Sequence, residues 1–376
     1  MNQHPVEFLR NMLEIYSPSG KEKELASFLV AEFKDLGFDK VWRDKVGNIY
    51  GKIGGGPPGV LLCGHMDTVP GQIPVKIEDG RLYGRGAVDA KSSLAAMILA
   101  ASDFRPYISN FGGEVIVVCV VDEEGKARGI KNLIREGLKA DYAIFGEPSG
   151  IENITFAYKG RLLLKIKCVT AGGHVGAQHV LSNAIEKSFE LWVEFKSSCE
   201  QQYKSPLGVF YSLTPTLIDI RSFRTMGGIP NICALKIDLR LPPTIKCEKA
   251  VRIVKEIIEG FRRENLQPLT AIDLKIIDRV EPYVAKKDSL VIKSLGESIL
   301  EETGKTARLI RKTGTGDMNI FGTHFNIPVA TYGPGDSHLS HASNEYIEIS
   351  DYLKSVKIYK KAVEKIFKYH LEQTDK

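Results

Sequence analysis

The stretch Val60-Leu61-Leu62-Cys63-Gly64-His65-Met66-Asp67-Thr68-Val69-Pro70 combines a short apolar run with two ionisable side chains placed directly after it. The apolar run lies between Gly59 and Gly64 and has the length and composition of a buried strand. His65 ends the run, and Asp67 follows two residues later. We therefore predict a buried strand that carries an imidazole and a carboxylate at its carboxyl end.

Three further apolar runs end in the same way. They are residues 115–121, followed by Asp122, Glu123 and Glu124; residues 142–145, followed by Gly146 and Glu147; and residues 327–332, followed by a Gly/Pro turn, His338 and His341. In open α/β sheets, ligand sites form at the carboxyl edge of the strands. Imidazole and carboxylate together suit zinc or a similar divalent metal. The pattern therefore predicts a metal site at this edge.

Length and composition limit the classes of protein to which this chain can belong. A chain of 376 residues is long for one hydrophobic core, which favours two domains. Its 43% hydrophobic and 26% charged residues are typical of a soluble globular protein, and no apolar run reaches membrane-spanning length. The net charge of +5 permits an acidic partner but gives no reason to expect nucleic acid.

The cysteines and the N-terminus predict the compartment. The six cysteines lie singly, without a CxxC pair, and Cys63 and Cys119 fall inside predicted core strands. Such thiols are expected to be reduced. Residues 1–10 carry no signal-peptide pattern. We therefore expect a cytoplasmic protein.

The first 150 residues alternate predicted strands and helices in the α/β manner. Ser19-Gly20-Lys21-Glu22 has the spacing of a capping box, and residues 25–36 then keep helical spacing up to Gly37. Further helices are predicted over residues 91–102 and 129–137. Asp89 stands at the start of the first of these, where an N-cap is the alternative to a site residue.

The pattern changes after residue 155. The predicted elements are a strand over 159–169, a helix over 183–197, strands over 215–220 and 233–241, a helix over 246–264 and a strand over 269–277. The order β-α-β-β-α-β is that of a ferredoxin-like domain. Helices over 289–303 and 350–371 then flank a strand and the loop with His341. We predict an α/β domain with a mostly parallel central sheet over 1–155 and 278–376, and an inserted α+β domain over 156–277.

Several motifs together resemble those of the M20 family of dinuclear zinc peptidases and deacylases. They are Gly64-His65-Met66-Asp67-Thr68-Val69, Gly84-Arg85-Gly86-Ala87-Val88-Asp89, Asp122-Glu123-Glu124-Gly125, Gly146-Glu147-Pro148, Gly172-Gly173-His174, Asn231 with Asp238-Leu239-Arg240, and His341-Ala342-Ser343-Asn344-Glu345. One departure is Asp89-Ala90-Lys91-Ser92-Ser93, where many members have Asp-Met-Lys-Gly-Gly. The resemblance implies a zinc-peptidase-like catalytic domain and an inserted lid and dimerisation domain.

The resemblance also implies two divalent metal ions per chain, with zinc as the first choice and cobalt as the alternative. His65 and Glu147 would bind one ion, Glu124 and His341 the other, and Asp89 would bridge the two. A lone histidine at a strand end is more often structural. Five candidate ligands in the family's order favour the metal site. By the same resemblance, the peptide bond after Asp89 is expected to be cis.

Two further carboxylates are expected to take part in catalysis. Glu123, next to a predicted ligand, would take a proton from the attacking water and deliver it to the leaving nitrogen. Asp67 would accept a hydrogen bond from the ring N–H of His65, and its alternative role is that of a turn aspartate. His338 and His324 are expected to be structural.

The family resemblance places substrate contacts in the inserted domain. His174 would reach the active site of a second subunit and stabilise the oxyanion, which requires a homodimer formed through this domain. Arg240 and Asn231 would bind the free α-carboxylate of the substrate. Gly314 and Thr315 would shape the floor of the pocket. The alternatives are an ordinary loop histidine and an exposed arginine at a strand end.

Within the family, residues 311–319 look most like the branch that releases lysine or ornithine in amino-acid biosynthesis. In some members the protecting group on the α-amino nitrogen is the C-terminal glutamate of a small acidic carrier protein. Basic residues such as Arg308, Arg311 and Lys312 favour that carrier as the partner. N-acetylornithine or N-acetyl-lysine deacetylation stays open, as does a dipeptidase or carboxypeptidase. A metal-free binding protein would require gaps in the ligand set, and the sequence has none.

Overall fold

The computed structural model describes residues 5–223, 228–264 and 269–374, and it divides into two compact units. The first unit comprises the described residues up to Phe156, Ala285–Ile310, and those from Gly316 onward. The second comprises Ala157–Val284 and Arg311–Thr315. Residues 278–284 and 311–315, predicted to belong to the catalytic domain, cluster with the second unit, and Phe156, predicted to begin the inserted domain, clusters with the first.

The secondary structure is numbered in chain order. The strands are β1 (Lys40–Arg43), β2 (Ile49–Gly55), β3 (Gly59–His65), β4 (Lys76–Glu78), β5 (Arg81–Tyr83), β6 (Gly113–Val120), β7 (Tyr142–Gly146), β8 (Asn153–Tyr158), β9 (Gly160–Thr170), β10 (Thr214–Phe223), β11 (Ile232–Leu241), β12 (Leu269–Val280), β13 (Tyr283–Val284), β14 (Arg308–Lys312), β15 (Val329–Tyr332) and β16 (Tyr346–Glu348). The helices are α1 (Pro5–Glu14), α2 (Lys23–Asp35), α3 (Lys91–Phe104), α4 (Arg128–Arg135), α5 (Ala184–Gln202), α6 (Cys247–Glu264), α7 (Leu290–Thr303), α8 (Asp317–Phe325) and α9 (Ile349–Thr374).

The first unit is built on a sheet in the order β1-β2-β6-β3-β7-β15-β8. The central pairs β6–β3, β3–β7 and β7–β15 are parallel. The outer pairs β1–β2, β2–β6 and β15–β8 are antiparallel. The predicted α/β fold with a mostly parallel central sheet is therefore confirmed.

Helix α3 covers the strand that carries His65. Its alanines are buried together with Leu94, and β3 is buried along its whole length. A Cβ atom on Gly64 would lie 3.3 Å from Cδ1 of Leu94, so the missing side chain lets the helix approach the sheet closely. Burying a leucine side chain contributes about 1.5–3 kcal/mol. This packing fixes the end of β3 where the site begins.

A small antiparallel sheet in the order β16-β5-β4 was not predicted. Each of its strands has only three residues, too few to show an alternating pattern. The backbone N–H of Gly84, just after β5, donates to the carbonyl of Glu345, just before β16, at 3.2 Å. This pairing holds two distant loops of the first unit together. Helices α1 and α8 were also absent from the prediction.

The second unit has the predicted order β-α-β-β-α-β, from β9 to β12. Its antiparallel sheet runs β10-β11-β9-β12, so β10 and β12 are its edges. Helices α5 and α6 cover one face, where Leu191, Phe195 and Phe261 join the core. All six cysteines of the chain are free and buried. Within the described residues, no helix combines the length and the apolar character needed to cross a membrane.

Candidate active site

The site lies at the carboxyl edge of the parallel strands of the first unit. His65 is the last residue of β3, Glu123 and Glu124 follow β6, and Glu147 follows β7. Because β6, β3 and β7 are parallel neighbours, their carboxyl ends meet at one edge of the sheet. The local sequence therefore delivers one imidazole and three carboxylates to the same place.

The structure brings the five predicted metal ligands together. Nε2 of His65 lies 3.2 Å from Oδ1 of Asp89 and 3.6 Å from Oε1 of Glu147. Nε2 of His341 lies 2.7 Å from Oε1 of Glu124 and 3.4 Å from Oδ2 of Asp89. Each oxygen of the Asp89 carboxylate thus faces a different histidine. This is the geometry required of a carboxylate that bridges two sets of ligands.

The charges of these side chains are strongly linked. Burial lowers the pKa of His65, but its hydrogen bond to Asp89 and the charges of Glu147 and Glu123 raise it well above the usual value. Hydrogen bonds to Asp89 and Glu124 raise the pKa of His341 to about 10. Burial raises the pKa of Asp89, and the two histidines lower it below its usual range. The carboxylates therefore favour positive charge between them.

The donor atoms fit a divalent cation. Ligand atoms of His65, Asp89 and Glu124 lie within 4.8 Å of one another, as do those of His65, Glu123 and Glu147. Imidazole nitrogen and carboxylate oxygen are donors that zinc and cobalt accept. A divalent cation would also supply the positive charge that these carboxylates favour. The arrangement is thus that of a candidate metal centre.

Glu345 holds the loop that carries Asp89. Its Oε1 accepts hydrogen bonds from the backbone N–H groups of Gly86, Val88 and Asp89 at 3.1, 2.8 and 2.9 Å. Its Oε2 accepts one from Nη1 of Arg85 at 2.8 Å. The peptide bond that follows Asp89 is cis, as predicted. One buried carboxylate therefore accepts hydrogen bonds from three backbone N–H groups of this loop and orients Asp89.

Glu345 is the last residue of the motif that begins at His341, and no role was predicted for it. The side chain is buried, and burial raises its pKa although its hydrogen bonds act in the opposite direction. The sequence signal that could have identified its partner is charge. Arg85 and Glu345 have opposite charges and lie in two motifs of the same candidate site. Two opposite charges in two motifs of one site are a reasonable candidate pair.

Lys91 follows the same loop, and its side chain packs against Gly86. Its buried ammonium donates to the backbone carbonyls of Met12 at 3.0 Å and Ile15 at 2.7 Å. Burial lowers the pKa of Lys91 to about 7. Gly86 has φ of +91°, and a Cβ there would lie 3.0 Å from side-chain atoms of Lys91 and Thr68. The loop therefore requires a glycine at this point.

Asp67 positions both glutamates that follow β6. Its Oδ1 accepts the N–H of Glu123 at 3.0 Å, and its Oδ2 accepts the N–H of Glu124 at 3.1 Å and the hydroxyl of Ser19 at 2.6 Å. Nδ1 of His65 lies 2.9 Å from the backbone carbonyl of Asp67 and 3.7 Å from its Oδ1. The backbone carbonyl thus takes the contact predicted for the carboxylate, because three other donors occupy the carboxylate.

The predicted capping box over residues 19–22 was wrong. Helix α2 begins at Lys23 and has no side-chain cap. The Ser19 hydroxyl donates to Asp67, and Oε1 of Glu22 accepts the N–H of Asp122 at 3.1 Å. Both polar side chains therefore serve loops of the candidate site. The Asp67 carboxylate, 48 residues from Ser19, and the Asp122 N–H, 100 residues from Glu22, replace the partners that the capping-box spacing suggested.

Two non-glycine residues of the site have left-handed backbone conformations. The φ angle is 61° at Asp122 and 64° at His341. Asp122 is held by an ion pair of 2.7 Å with Arg128, at the start of α4. Such conformations cluster where a structure holds functional side chains. The first directs the chain into Glu123 and Glu124.

Two more acidic groups lie close to these ligands. Burial and the charge of Glu147 raise the pKa of Glu123 well above its usual value. Asp317 was not predicted as a site residue. Within the described residues neither of its buried oxygens has a hydrogen-bond partner, and burial raises its pKa to about 7. The charge of His65 lowers the pKa of Asp317, and the charge of Asp67 raises it.

Arg240 lies in the second unit beside a shared carboxylate. Its Nε is 2.7 Å from Oδ1 of Asp238, and Oδ2 of Asp238 is 2.8 Å from Nε of Arg161. Two arginines therefore share the Asp238 carboxylate; Arg161 also pairs with Asp278 at 3.9 Å, whereas Arg240 presents a partly exposed guanidinium group. Such a group has donors left for the carboxylate of a ligand.

The other residues predicted to contact substrate are also in the second unit. His174 is exposed, and its Nδ1 accepts the N–H of Gly176 at 3.1 Å. Asn231 is half-buried, and its backbone carbonyl accepts the N–H of Thr170 at 2.9 Å. Gly314 and Thr315 are half-buried within Arg311–Thr315. Their substrate roles stay predictions.

Known proteins of similar fold share this architecture. The chain superposes on an M20 family metallo-carboxypeptidase from Sulfolobus solfataricus with a TM-score of 0.80 and 19% identity, over 97% of this chain and 99% of that one. A tripeptidase from Staphylococcus aureus gives a TM-score of 0.81 and 20% identity, over 97% and 98% of the two chains. At these identities the similarity establishes the fold alone.

Relatives of higher identity cover nearly the whole chain. A protein of Thermococcus kodakarensis, provisionally named a LysW-lysine/LysW-ornithine hydrolase, is 35% identical over 97% of this chain and 93% of its own. The LysW-lysine/LysW-ornithine hydrolase of Saccharolobus solfataricus is 32% identical over 98% and 97%. The LysW-lysine hydrolase of Deinococcus radiodurans is 31% identical over 96% of each chain. The profile of peptidase family M20/M25/M40 matches residues 61–365. This chain therefore belongs to peptidase family M20/M25/M40 and is a hydrolase of that family.

Proposed function

We propose that this chain is a dinuclear metal amidohydrolase that releases lysine or ornithine from a carrier-protein-linked precursor. The observation that carries the proposal is the Asp89 carboxylate, whose two oxygens face His65 and His341 at 3.2 and 3.4 Å. Relatives at 31% and 32% identity are named for hydrolysis of LysW-linked lysine or ornithine. Their names support the choice of substrate.

The proposed centre holds two divalent ions, with zinc favoured and cobalt as the alternative. His65 and Glu147 would bind one ion, and Glu124 and His341 the other, with Asp89 shared between them. When bound, such ions polarise the amide carbonyl and lower the pKa of the attacking water towards ~7. The two sets of donor atoms described above support this assignment.

Glu123 is the proposed general base and acid. Its carboxylate takes a proton from the attacking water and delivers it to the leaving nitrogen. The hydrogen bond from its N–H to Asp67 Oδ1, at 3.0 Å, fixes the backbone from which this side chain extends. Asp67 is a positioning residue for both glutamates after β6.

The leaving amino acid would be held by its α-carboxylate. Arg240 and Asn231 are the proposed donors to this carboxylate. Gly314 and Thr315 would shape the pocket. The ion pair of 2.7 Å with Asp238 supports the role of Arg240, since it orients the guanidinium. Arginine forms two parallel bonds to a carboxylate, which lysine cannot do.

The substrate can be tested with a panel measured with and without added Zn²⁺ and Co²⁺. We expect lysine or ornithine to be released from the carrier-linked substrate faster than from the N-acetyl amino acids. The carrier reaction should slow as salt increases, because salt screens attraction between a basic surface and an acidic protein over about 10 Å at 0.1 M. N-acetyl substrates should respond little to salt. Efficient cleavage of N-acetylornithine without cleavage of the carrier conjugate would contradict the proposal and identify a deacetylase.

A homodimer formed through the second unit is part of the same proposal. Helix α5 exposes Phe189 and Val193 at 57% and 51%, and the adjoining edge strand β10 exposes Ile218 and Ile220 at 46% and 45%. Exposed apolar side chains grouped on one helix and one strand edge are typical of an association surface. In a homodimer, His174 would serve the site of the other subunit.

The role of His174 across the dimer can be tested by mixing inactive variants. His174→Ala chains keep Glu123, and Glu123→Gln chains keep His174. A heterodimer of the two would contain one complete site, so mixing should restore part of the activity. Each variant alone, taken through the same exchange procedure, is the control. Absence of recovery after demonstrated subunit exchange would exclude the role in trans.

A further inference from the structure

The chain between α5 and β10 exposes apolar side chains in the second unit. Leu207 is 75% exposed and Val209 is 62% exposed. Single exposed apolar residues are common and need no explanation. These two lie beside Phe210 and Tyr211, which are only half-buried. The segment therefore presents a group of apolar and aromatic side chains at the surface of its unit.

A buried lysine holds this segment in place. Lys159 is fully buried, and its Nζ donates to the carbonyl of Val209 at 3.0 Å, the carbonyl of Ser212 at 2.6 Å and Oγ1 of Thr214 at 2.7 Å. A buried ammonium is costly unless hydrogen bonds satisfy it. Three acceptors from one segment therefore fix its conformation. The exposed side chains therefore belong to a segment of fixed conformation.

Arg311 packs against the aromatic residues of the same segment. Its guanidinium carbon lies 6.0 Å from the ring centroid of Phe210 and 5.5 Å from that of Tyr211. The backbone N–H of Lys159 donates to the carbonyl of Lys312 at 3.2 Å, so Lys159 joins both segments. The distances from Arg311 to the two rings are those of cation–π contacts, which hold the guanidinium against the rings. Arg311 is exposed, so this surface carries a basic side chain beside the apolar group.

The sign of the charge is uniform across both segments. Residues 203–214 and 311–315 include Lys204, Arg311 and Lys312 but no aspartate or glutamate. Aromatic residues and arginine are enriched in protein interfaces, and charge complementarity selects the partner. An ordered apolar group with basic residues therefore fits an acidic protein that has an apolar contact point.

We propose that this surface, named the Arg311 face and formed by Leu207, Val209, Phe210, Tyr211 and Arg311, docks the acidic carrier protein of the substrate. The inference rests on the proposed function, because it takes the substrate to be carrier-linked. Arg311 lies in the same short segment as the residues predicted to shape the pocket floor. Docking there would bring the attached amino acid towards that segment.

Binding of the lysine-free carrier protein tests the face without requiring turnover. The variants are Arg311→Glu and Leu207→Asp, with Arg252→Glu, a charge reversal at an exposed position of α6, as the matched control. We expect the dissociation constant, measured by calorimetric titration, to rise about tenfold or more in the first two variants. The control should bind like the unmodified protein. Circular dichroism and unfolding midpoints would establish that all variants fold.

Each other outcome separates the alternatives. Unchanged binding in both face variants, or no binding by the unmodified protein, would overturn the face. A change in sedimentation of the face variants would instead identify a contact between two copies of this chain. Equal, variant-sensitive binding of an oligothymidylate would identify a general polyanion surface. Carrier binding that depends on the face, together with cleavage of acetyl substrates alone, would support the face and overturn the proposed function.

Discussion

Replacing Glu123 with glutamine is expected to lower turnover by ~10²–10⁴, the usual contribution of general acid–base catalysis. Glutamine keeps the size of the side chain but cannot accept and return a proton. The metal content should stay that of the unmodified enzyme, because Glu123 is not among the proposed ligands. The measurements are kcat on the substrate cleaved best and metal per chain by atomic emission.

The metal measurement matters because a carboxylate oxygen of Glu123 lies within 4.8 Å of donor atoms of His65 and Glu147. Glu124→Gln is the matched control, since it alters the neighbouring residue and should lose metal as well as activity. Loss of metal from Glu123→Gln would make Glu123 a ligand. Near-normal turnover in that variant would remove it from catalysis altogether.

Replacing Glu345 with alanine should destabilise the protein by about 3–5 kcal/mol, the cost of removing one partner of a buried ion pair. Arg85 and three backbone N–H groups would lose their acceptor. Asp89 would lose its support, so metal affinity should fall about 10–100-fold, as when residues that orient ligands are removed. Urea unfolding and competition with a chelator measure the two effects.

Glu348→Ala is the matched control for Glu345. Glu348 also pairs with an arginine, Arg81, at 2.7 Å, but both side chains are 41% exposed. Such a surface pair contributes about 0–1 kcal/mol. If Glu345→Ala lost no more stability than this control, the buried carboxylate would not hold the loop. Glu345→Gln, which keeps one acceptor oxygen, covers the case in which the alanine variant does not fold.

The sequence predicted the fold and the grouping of the ligands for one physical reason. Apolar runs that end in ionisable residues mark both a buried strand and its functional end, as at His65 and Glu147. Parallel strands then bring those ends to one edge without further information. Asp89 and His341 do not directly follow such strands. They were predicted from the order of the motifs, which is shared with a family whose ligands occupy those motifs.

Contacts between distant residues could not be read in this way. Ser19 and Glu22 fitted a local cap, yet Ser19 donates to Asp67, 48 residues away, and Glu22 accepts from Asp122, 100 residues away, as well as from Gly20. Asp317 carried no pattern that separates a buried acid from an exposed one. The strands of three residues were too short for a periodic signal. Tertiary contacts determine these hydrogen-bond partners, the burial of Asp317 and the short strands. A sequence pattern indicates such contacts only where a known motif includes them.

The span of the chain across this site has a consequence for biosynthesis. His341 and Glu124 are 217 residues apart, and Glu345 and Arg85 are 260 apart. Chains emerge from the ribosome N-terminal end first, and domains tend to fold in that order. A nascent chain that ends before residue 341 has the carboxylates of the centre and His65 but lacks the second imidazole and the carboxylate that holds their loop. Residues 341 and 345 must therefore be synthesised before these acidic groups can find their native partners, and a product truncated before them cannot assemble the centre.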